Sequence, residues 1–284
     1  GAMLSFDGMA QVVKKYASVP LKELAGDEDF WTTIRQGYKL KPDYINLENG
    51  YYNFVPEQVL EKFIGHVRDV NYHGSYYMRN FQVKTNRSMA AKLSEIAGCK
   101  ADELIITRNT TESLDLVISG FDWKPGDEAI MAEQDYGTMR AMFNQVAKRY
   151  GVINKVVSVP NIPKSDDDIV NVYASAITDK TKLIMVSHMI NITGQILPIR
   201  KICDMAHKRG VQVMVDGAHS FAHFKFSIAD LDCDYFGSSL HKWMSVPLGC
   251  GILYVNKKNI GKVWPLLAAG EKNLDDVTRL GHTG

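Results

Sequence analysis

Short apolar runs alternate with amphipathic segments along most of the chain. The runs are rich in Val, Ile and Met, and several are apolar throughout, which is typical of strands buried on both faces. The predicted strands are Glu103–Arg108, Glu128–Ala132, Lys155–Val159, Lys182–His188, Val211–Asp216, Tyr235–Ser239 and Gly251–Val255. The predicted helices are Thr111–Ser119, Thr138–Tyr150, Asp168–Ile177 and Ile199–Arg209. This alternation predicts an α/β fold, a mainly parallel seven-stranded sheet with helices on both faces.

The two ends of the chain depart from this alternation. The last two strands are separated by the Lys242–Pro247 loop, too short for a parallel crossover, so one of them should be antiparallel. We expect residues 1–47 to hold a tag scar and a helical arm anchored by Phe30, Trp31 and Ile34, and residues 48–265 to form one large domain. A helical pattern runs from Leu266 towards Arg279, and we expect residues 266–284 to begin the connection to a missing small C-terminal domain.

Composition and charge limit the classes of binding partner and the cellular location that we expect for this chain. A net charge of +1 without a long basic run gives no reason to expect nucleic acid or an anionic membrane surface. No apolar stretch approaches the roughly 20 residues of a membrane span. The four cysteines are scattered and form no CxxC motif, so we expect buried thiols. A cytoplasmic location is the expectation, although an export leader could have preceded the Gly1-Ala2-Met3 scar.

Polar residues follow five of the predicted strands. Open α/β sheets bind ligands beyond the carboxyl ends of their strands, so these residues are the candidates for a site. The five clusters are Asn109-Thr110-Thr111-Glu112, Glu133-Gln134-Asp135-Tyr136-Gly137, Ser187-His188-Met189-Ile190-Asn191, Asp216-Gly217-Ala218-His219-Ser220 and Ser239-Leu240-His241-Lys242-Trp243.

Each cluster also has a purely structural interpretation. Asn109 and Glu112 form a capping-box pattern, although a helix N-terminus also suits a phosphate. Asp216 could cap the next helix or pair with a protonated ring nitrogen. Lys242 could be a surface lysine, but the glycine-rich return after it favours an inward position. A single cofactor site explains all five clusters together.

At these residues the chain resembles the class V aminotransferase family of fold-type I pyridoxal-phosphate (PLP) enzymes. The resemblance is carried by Val215-Asp216-Gly217-Ala218-His219-Ser220, by Ser239-Leu240-His241-Lys242-Trp243 and by the 26-residue spacing of Asp216 and Lys242. His219, the Lys-Trp pair and Asp135-Tyr136-Gly137 resemble the isopenicillin N epimerase-like branch more than the cysteine desulfurases.

The resemblance implies roles for individual residues. Lys242 would carry the Schiff base and Asp216 would pair with the pyridinium nitrogen. The remaining cofactor contacts would be Thr110, Thr111, Ser239 and His241 at the phosphate, His219 and Asn191 at the phenolate oxygen, and Tyr136 on the ring. The family also implies a homodimer with active sites at the interface, and Gly281-His282-Thr283-Gly284 resembles a segment that reaches the neighbour's phosphate. Substrate-side candidates are Glu48, Asn49, Tyr51, Tyr52 and Arg79.

The implied activity is PLP chemistry on an amino acid or amine, through an external aldimine and a Cα carbanion. Epimerisation, amino transfer and C–S lysis can all proceed through these intermediates. Desulfurase-type sulfur transfer is an alternative, although by the resemblance its nucleophilic cysteine and the substrate-binding arginine lie in the C-terminal part. A non-catalytic or truncated binding module is another.

Two further alternatives belong to other classes. No metal is expected, but Asp216, His219 and His223 could form a metal site. A nicotinamide-binding domain is disfavoured because no GxGxxG follows the first strand.

Overall fold

The computed structural model describes residues 6–267 and 273–281, and within them seven strands form one sheet. The strands are β1 Leu104–Thr107, β2 Glu128–Ala132, β3 Ile153–Val157, β4 Thr181–Ser187, β5 Gln212–Asp216, β6 Tyr235–Ser239 and β7 Gly251–Val255. Their order across the sheet is β1-β7-β6-β5-β4-β2-β3. β7 runs antiparallel to both β1 and β6, and the other neighbouring pairs are parallel. The predicted mainly parallel sheet with an antiparallel late strand is therefore confirmed.

Helices precede the sheet and connect its strands. Their bounds are α1 Phe6–Tyr16, α2 Leu21–Leu24, α3 Glu28–Arg35, α4 Glu57–His73, α5 Ser75–Asn80, α6 Gln82–Ala97, α7 Thr110–Gly120, α8 Gly137–Tyr150, α9 Asp166–Ala176, α10 Ile199–His207 and α11 Ile228–Leu231. The four helices expected between strands are α7 to α10, with ends that differ from the expectation by no more than two residues. The sequence pattern did not predict α4 to α6; α4 and α5 bury no residue, whereas α6 buries Leu93, Ser94 and Ala97.

One strand was placed two residues too late by the sequence. The predicted strand Lys155–Val159 is observed as β3, which pairs with β2 from Ile153 to Val157. β3 lies at the edge of the sheet, and each of its residues is exposed or only partly buried. Its apolar signal is therefore weaker than that of the central strands.

The sheet is buried on both faces by alternating side chains. In β4, Ile184 and Val186 join the cluster that also holds α9 and α10 residues, whereas Leu183 and Met185 join the cluster formed with α7 and α8. All four are fully buried. Burying one such side chain stabilises the fold by about 1.5–3 kcal/mol, so both helical layers hold the central strands in place.

The chain ends differ partly from expectation. Three short helices, α1 to α3, occupy much of the chain from Phe6 to Arg35, but Trp31 is 48% exposed and Phe30 packs on Tyr16, with ring centroids 5.0 Å apart. Phe30 thus packs within the arm, and Trp31 is not buried in the core. The helix expected from Leu266 to Arg279 is wrong within the described residues, where a short 3-10 helix, Val277–Leu280, is found.

The 3-10 helix is fixed by its own contacts. Arg279 Nη1 donates to the carbonyl oxygens of Ile260 and Val263, at 3.0 and 2.7 Å, and Leu280 is buried. Residues 282–284, for which a phosphate contact was expected, lie outside the described residues. Among the described helices, none is long and apolar enough to cross a membrane.

Candidate active site

A cavity of about 730 Å³ opens at the carboxyl edge of the parallel strands. Its lining includes residues from every predicted strand-end cluster and from the segment before α4. The predicted site residues that line it are Glu48, Asn49, Tyr51, Tyr52, Thr110, Thr111, Tyr136, Asn191, Asp216, His219, Ser239, His241 and Lys242. Arg79 does not line this cavity and is exposed on α5. The sheet therefore brings together residues that are far apart in the sequence.

Asp216 ends β5 and is 6% exposed. Its Oδ1 accepts a hydrogen bond from the backbone N–H of Ala218, at 2.9 Å. Burial raises the pKa of Asp216, while the Ala218 hydrogen bond and the positive charge of Lys242 oppose the shift. A buried carboxylate with a raised pKa is stabilised in its ionised form by a nearby cation, so this position suits a protonated ligand nitrogen.

Lys242 follows β6 and lies beside His219. Its Nζ is 3.1 Å from His219 Nε2. Burial lowers the pKa of Lys242, and Asp216 partly opposes this shift. Burial, Lys242 and His223 lower the pKa of His219 to about 4. His219 is therefore neutral at pH 7, and a neutral amine on Lys242, the form that attacks a carbonyl, is easier to reach.

The N-terminus of α7 forms a polar end of the cavity. Asn109 caps the helix by accepting from the Glu112 N–H at 2.8 Å, so the capping interpretation is correct for Asn109. Thr110 donates its N–H to Ser239 Oγ at 2.8 Å, and the two hydroxyl oxygens are 2.7 Å apart. A side chain at Gly251 would put its Cβ 2.7 Å from the Asn109 nitrogen, so glycine allows this close approach.

Asp135 organises the neighbouring edge, a role that the sequence pattern did not reveal. It is buried and accepts hydrogen bonds from Ala132 N–H at 2.7 Å, from Ser187 N–H at 3.2 Å and from Ser187 Oγ at 2.7 Å. Burial raises the pKa of Asp135 to about 6 despite these donors, and Asp216 adds to the shift. The carboxylate ties the end of β2 to the end of β4 and places Tyr136 at the cavity.

The segment before α4 is tied to the lysine loop. Asn53 donates its N–H to the His241 carbonyl at 3.1 Å and its Nδ2 to Ser245 Oγ at 2.8 Å. The Tyr38 hydroxyl also hydrogen-bonds Ser245, whose φ of 54° lies in the left-handed region. These contacts hold Asn49 and its neighbours over the cavity. A tyrosine and an asparagine in a polar segment gave no sequence signal for this role.

The metal alternative finds no support in the described part of the chain, where Asp216, His219 and His223 do not form a ligand cluster. The Nδ1 of His223 lies 2.9 Å from the His219 carbonyl oxygen, and its ring stacks on Trp243. His223 is therefore engaged in a different set of contacts.

Fold and site together define an α/β protein whose ligand cavity joins a lysine amine, a buried carboxylate and a helix N-terminus at the carboxyl edge of one sheet. The profile of the aminotransferase class-V family matches residues 54–280. The chain belongs to this family.

Curated relatives carry several activities. An isopenicillin N epimerase from Amycolatopsis lactamdurans is 28% identical over 264 residues, covering 89% of this chain and 66% of that protein. A probable cysteine desulfurase from Halalkalibacterium halodurans is 32% identical over 181 residues, covering 62% of this chain and 43% of that protein. The chain thus spans less than two thirds of the length of these relatives.

Solved structures share the fold. The cystine C-S lyase C-DES, solved as a variant with glycine covalently linked to its PLP cofactor, superposes with a TM-score of 0.76 at 25% identity, covering 81% of this chain and 61% of that chain. A cysteine desulfurase from Escherichia coli superposes with a TM-score of 0.72 at 22% identity, covering 88% and 69%. These likenesses confirm the predicted fold class of the PLP-binding large domain.

Proposed function

We propose that this chain carries the cofactor site of a PLP-dependent enzyme that acts on an amino acid or amine. The observation that carries the proposal is the convergence of Lys242, His219 and Asp216 at one cavity, with Lys242 Nζ 3.1 Å from His219 Nε2. The family membership and the PLP-bearing C-DES structure support it. The proposed domain bounds, 1–47, 48–265 and 266–284, go with this assignment.

The donor set fits PLP, group by group. The α7 N-terminus with Thr110, Thr111, Ser239 and His241 would hold the phosphate, because hydroxyls and the helix dipole favour an anion. Asp216 would keep the ring nitrogen protonated, and Tyr136, 45% exposed, would lie against the ring. His219 and Asn191 would lie at the phenolate oxygen. When bound, PLP supplies an electron sink for the substrate's Cα.

The protein's own part in the reaction would centre on Lys242. Its amine would bind the cofactor and, once displaced by substrate, would hold or move the proton at Cα. Neutral His219 would orient that amine through Nε2. Asn49, Tyr51 and Arg79 stay candidates for the substrate side, and Arg79 would have to act from outside this cavity or on a second subunit.

We favour epimerase, aminotransferase or C–S lyase chemistry over desulfuration. The preference rests on the resemblance of His219, the Lys242-Trp243 pair and Asp135-Tyr136-Gly137 to the epimerase-like branch. The four cysteines of this chain do not decide the reaction, because by the same resemblance a desulfurase's nucleophilic cysteine belongs to the C-terminal part. A panel of amino acids, scored for keto acid, inverted isomer and sulfide, would separate these reactions and would give no product with a binding module.

We also propose a homodimer. The described helices α4 to α6 expose several large apolar side chains that a monomer rarely leaves in water, namely Phe63, Val67, Tyr72, Tyr76, Phe81, Val83 and Met89. A second copy is the partner that the family implies. Light scattering should give the mass of a dimer for the wild type and a monomer for Val67→Asp; a monomeric wild type would contradict the proposal.

The cofactor assignment is tested by Lys242→Ala. Wild-type protein mixed with PLP should gain visible absorbance that borohydride removes, and Lys242→Ala should not. Lys208→Ala, which removes an exposed lysine after α10, is the matched control and should behave as the wild type. A borohydride-sensitive absorbance that persists in Lys242→Ala would overturn the assignment.

Four free thiols are consistent with the proposed cytoplasmic location.

A further inference from the structure

The turn after β5 contains one residue in a strained backbone conformation. Ala222 has a φ of 62°, in the left-handed region that ordinary side chains avoid at about 1–2 kcal/mol. Such strain persists only where the surroundings hold it, and it is concentrated at functional sites. The residue that directly follows Ala222 in this turn is His223.

His223 is held by two contacts. Its ring lies parallel to the Trp243 ring, with centroids 3.6 Å apart and an interplanar angle of 5°. Its Nδ1 is 2.9 Å from the carbonyl oxygen of His219. A carbonyl oxygen accepts only, so Nδ1 carries the proton of this hydrogen bond. The ring is therefore fixed both in position and in orientation.

The stacked His223 and Trp243 rings lie next to His219, which in turn contacts Lys242. Trp243 follows Lys242 in the chain, and its ring meets the His219 ring edge-on, with centroids 6.3 Å apart. On another side, a Cβ at Gly50 would lie 3.2 Å from His219 Cε1 and 3.7 Å from Trp243 Cζ2. The His219 imidazole is thus enclosed by Trp243 and by the Gly50 backbone while its Nε2 faces Lys242 Nζ.

We propose that His223 is a positioning residue, which acts through Trp243 and His219 to hold the Lys242 amine ready for its covalent bond with the cofactor. The inference rests on the proposed function. His223 itself is exposed and does not line the cavity, so it touches neither cofactor nor substrate directly. What it contributes is a flat ring against Trp243 and a hydrogen bond to the backbone of His219.

The test separates bond formation from cofactor binding. The rate at which visible absorbance appears after PLP is added to purified protein reports the bond to Lys242. PLP affinity in a Lys242→Ala background reports binding without the bond. We expect His223→Ala to slow bond formation about tenfold, because small misplacements of a reacting group are costly. Affinity without the bond should change by less than about twofold, since His223 lies outside the cavity.

Matched variants show whether the ring is what matters. His223→Phe keeps a flat ring over Trp243 and should restore the rate to within about threefold of the wild type. Lys225→Ala, an exposed change in the same turn region, should leave it unchanged. A readout without cofactor is the indole emission of Trp243, taken as the difference from a Trp243→Phe reference. Loss of the stacked imidazole should change this emission in His223→Ala, because the two rings lie with centroids 3.6 Å apart.

Three results would overturn the inference. The first is a wild-type rate of bond formation in His223→Ala although the indole emission of Trp243 has changed. The second is His223→Phe as slow as His223→Ala. The third is an equal fall in rate and in affinity without the bond, which marks a merely structural effect. If His223→Ala does not fold, Trp243→Leu against Trp243→Phe makes the same comparison. A wild type that binds PLP without a bond to Lys242 would overturn the proposed function itself.

Discussion

The two edges of the sheet bury charge in opposite ways. At the amino edge, Asp234 is 1% exposed and is surrounded by donors. Its carboxylate oxygens lie 2.7 Å from Asn259 Nδ2, 2.9 Å from Val213 N, 2.8 Å from His207 Nε2 and 3.2 Å from Lys258 Nζ. The protein itself satisfies this carboxylate, as buried charges require in a purely structural role.

The carboxyl edge is less well satisfied by the protein. Asp216 is nearly as buried as Asp234, yet burial raises its pKa despite the Ala218 hydrogen bond. Burial also lowers the pKa of both Lys242 and His219 nearby. Burial thus disfavours the charged form of all three side chains, and all three line one cavity. Such perturbed pKa values around a cavity are typical of a ligand-binding site. The structural carboxylate of Asp234 and the site carboxylate of Asp216 are similarly buried. They differ in how completely the protein supplies hydrogen-bond donors and cations to them.

The largest expected effect is on stability, and it tests the difference between Asp234 and Asp216 directly. Asp234→Ala should lower the free energy of unfolding by about 3–5 kcal/mol, because it strands buried donors and His207. Asp216→Ala should change the stability of the cofactor-free protein by less than about 1 kcal/mol, because the lost carboxylate was itself destabilised by burial. Denaturant unfolding measures both.

The same pair should separate in the opposite sense when the cofactor is added. PLP should raise the melting temperature of Asp234→Ala as it does that of the wild type, and should raise that of Asp216→Ala much less. Equal stability losses in the two variants, or equal shifts with PLP, would remove the distinction between the edges.

His188 gives a pH-dependent effect of intermediate size. Burial among Phe224 and Phe226 lowers the pKa of His188 from 6.5 to about 4. A depressed histidine pKa contributes stability that is complete above pH 6.5 and is lost as the pH falls towards 4, by up to about 3 kcal/mol. His188→Leu should therefore flatten the pH dependence of unfolding in this window. An unchanged slope would contradict the assigned burial cost.

The smallest effect concerns the strained turn. Ala222→Gly should raise the free energy of unfolding by about 0.5–1 kcal/mol, because glycine adopts the left-handed region without a Cβ clash. Ala229→Gly, an exposed helical position in α11, is the matched control and should lower stability by about the same amount. Thermal unfolding distinguishes the signs, and a destabilised Ala222→Gly would show that the turn is not strained.

Sequence patterns predicted the central architecture but not the supports of the site. β6 and β7 were placed to the residue, because buried strands leave continuous apolar runs. The cavity residues were found because strand ends converge. By contrast, Asn53 with Ser245, Asp135 with Ser187, and His223 with Trp243 are pairs far apart in the sequence, each made of common polar or aromatic residues. Their pairing is a property of tertiary contact, which local periodicity does not encode.

The most direct test of the central claim is to locate the covalent bond. Purified protein is incubated with PLP, reduced with borohydride, digested and analysed by mass spectrometry. The account predicts a pyridoxyl group on the peptide that contains Lys242 and on no other lysine in comparable yield. A pyridoxyl group found chiefly on another lysine, or none on Lys242 in protein that has bound PLP, would contradict it.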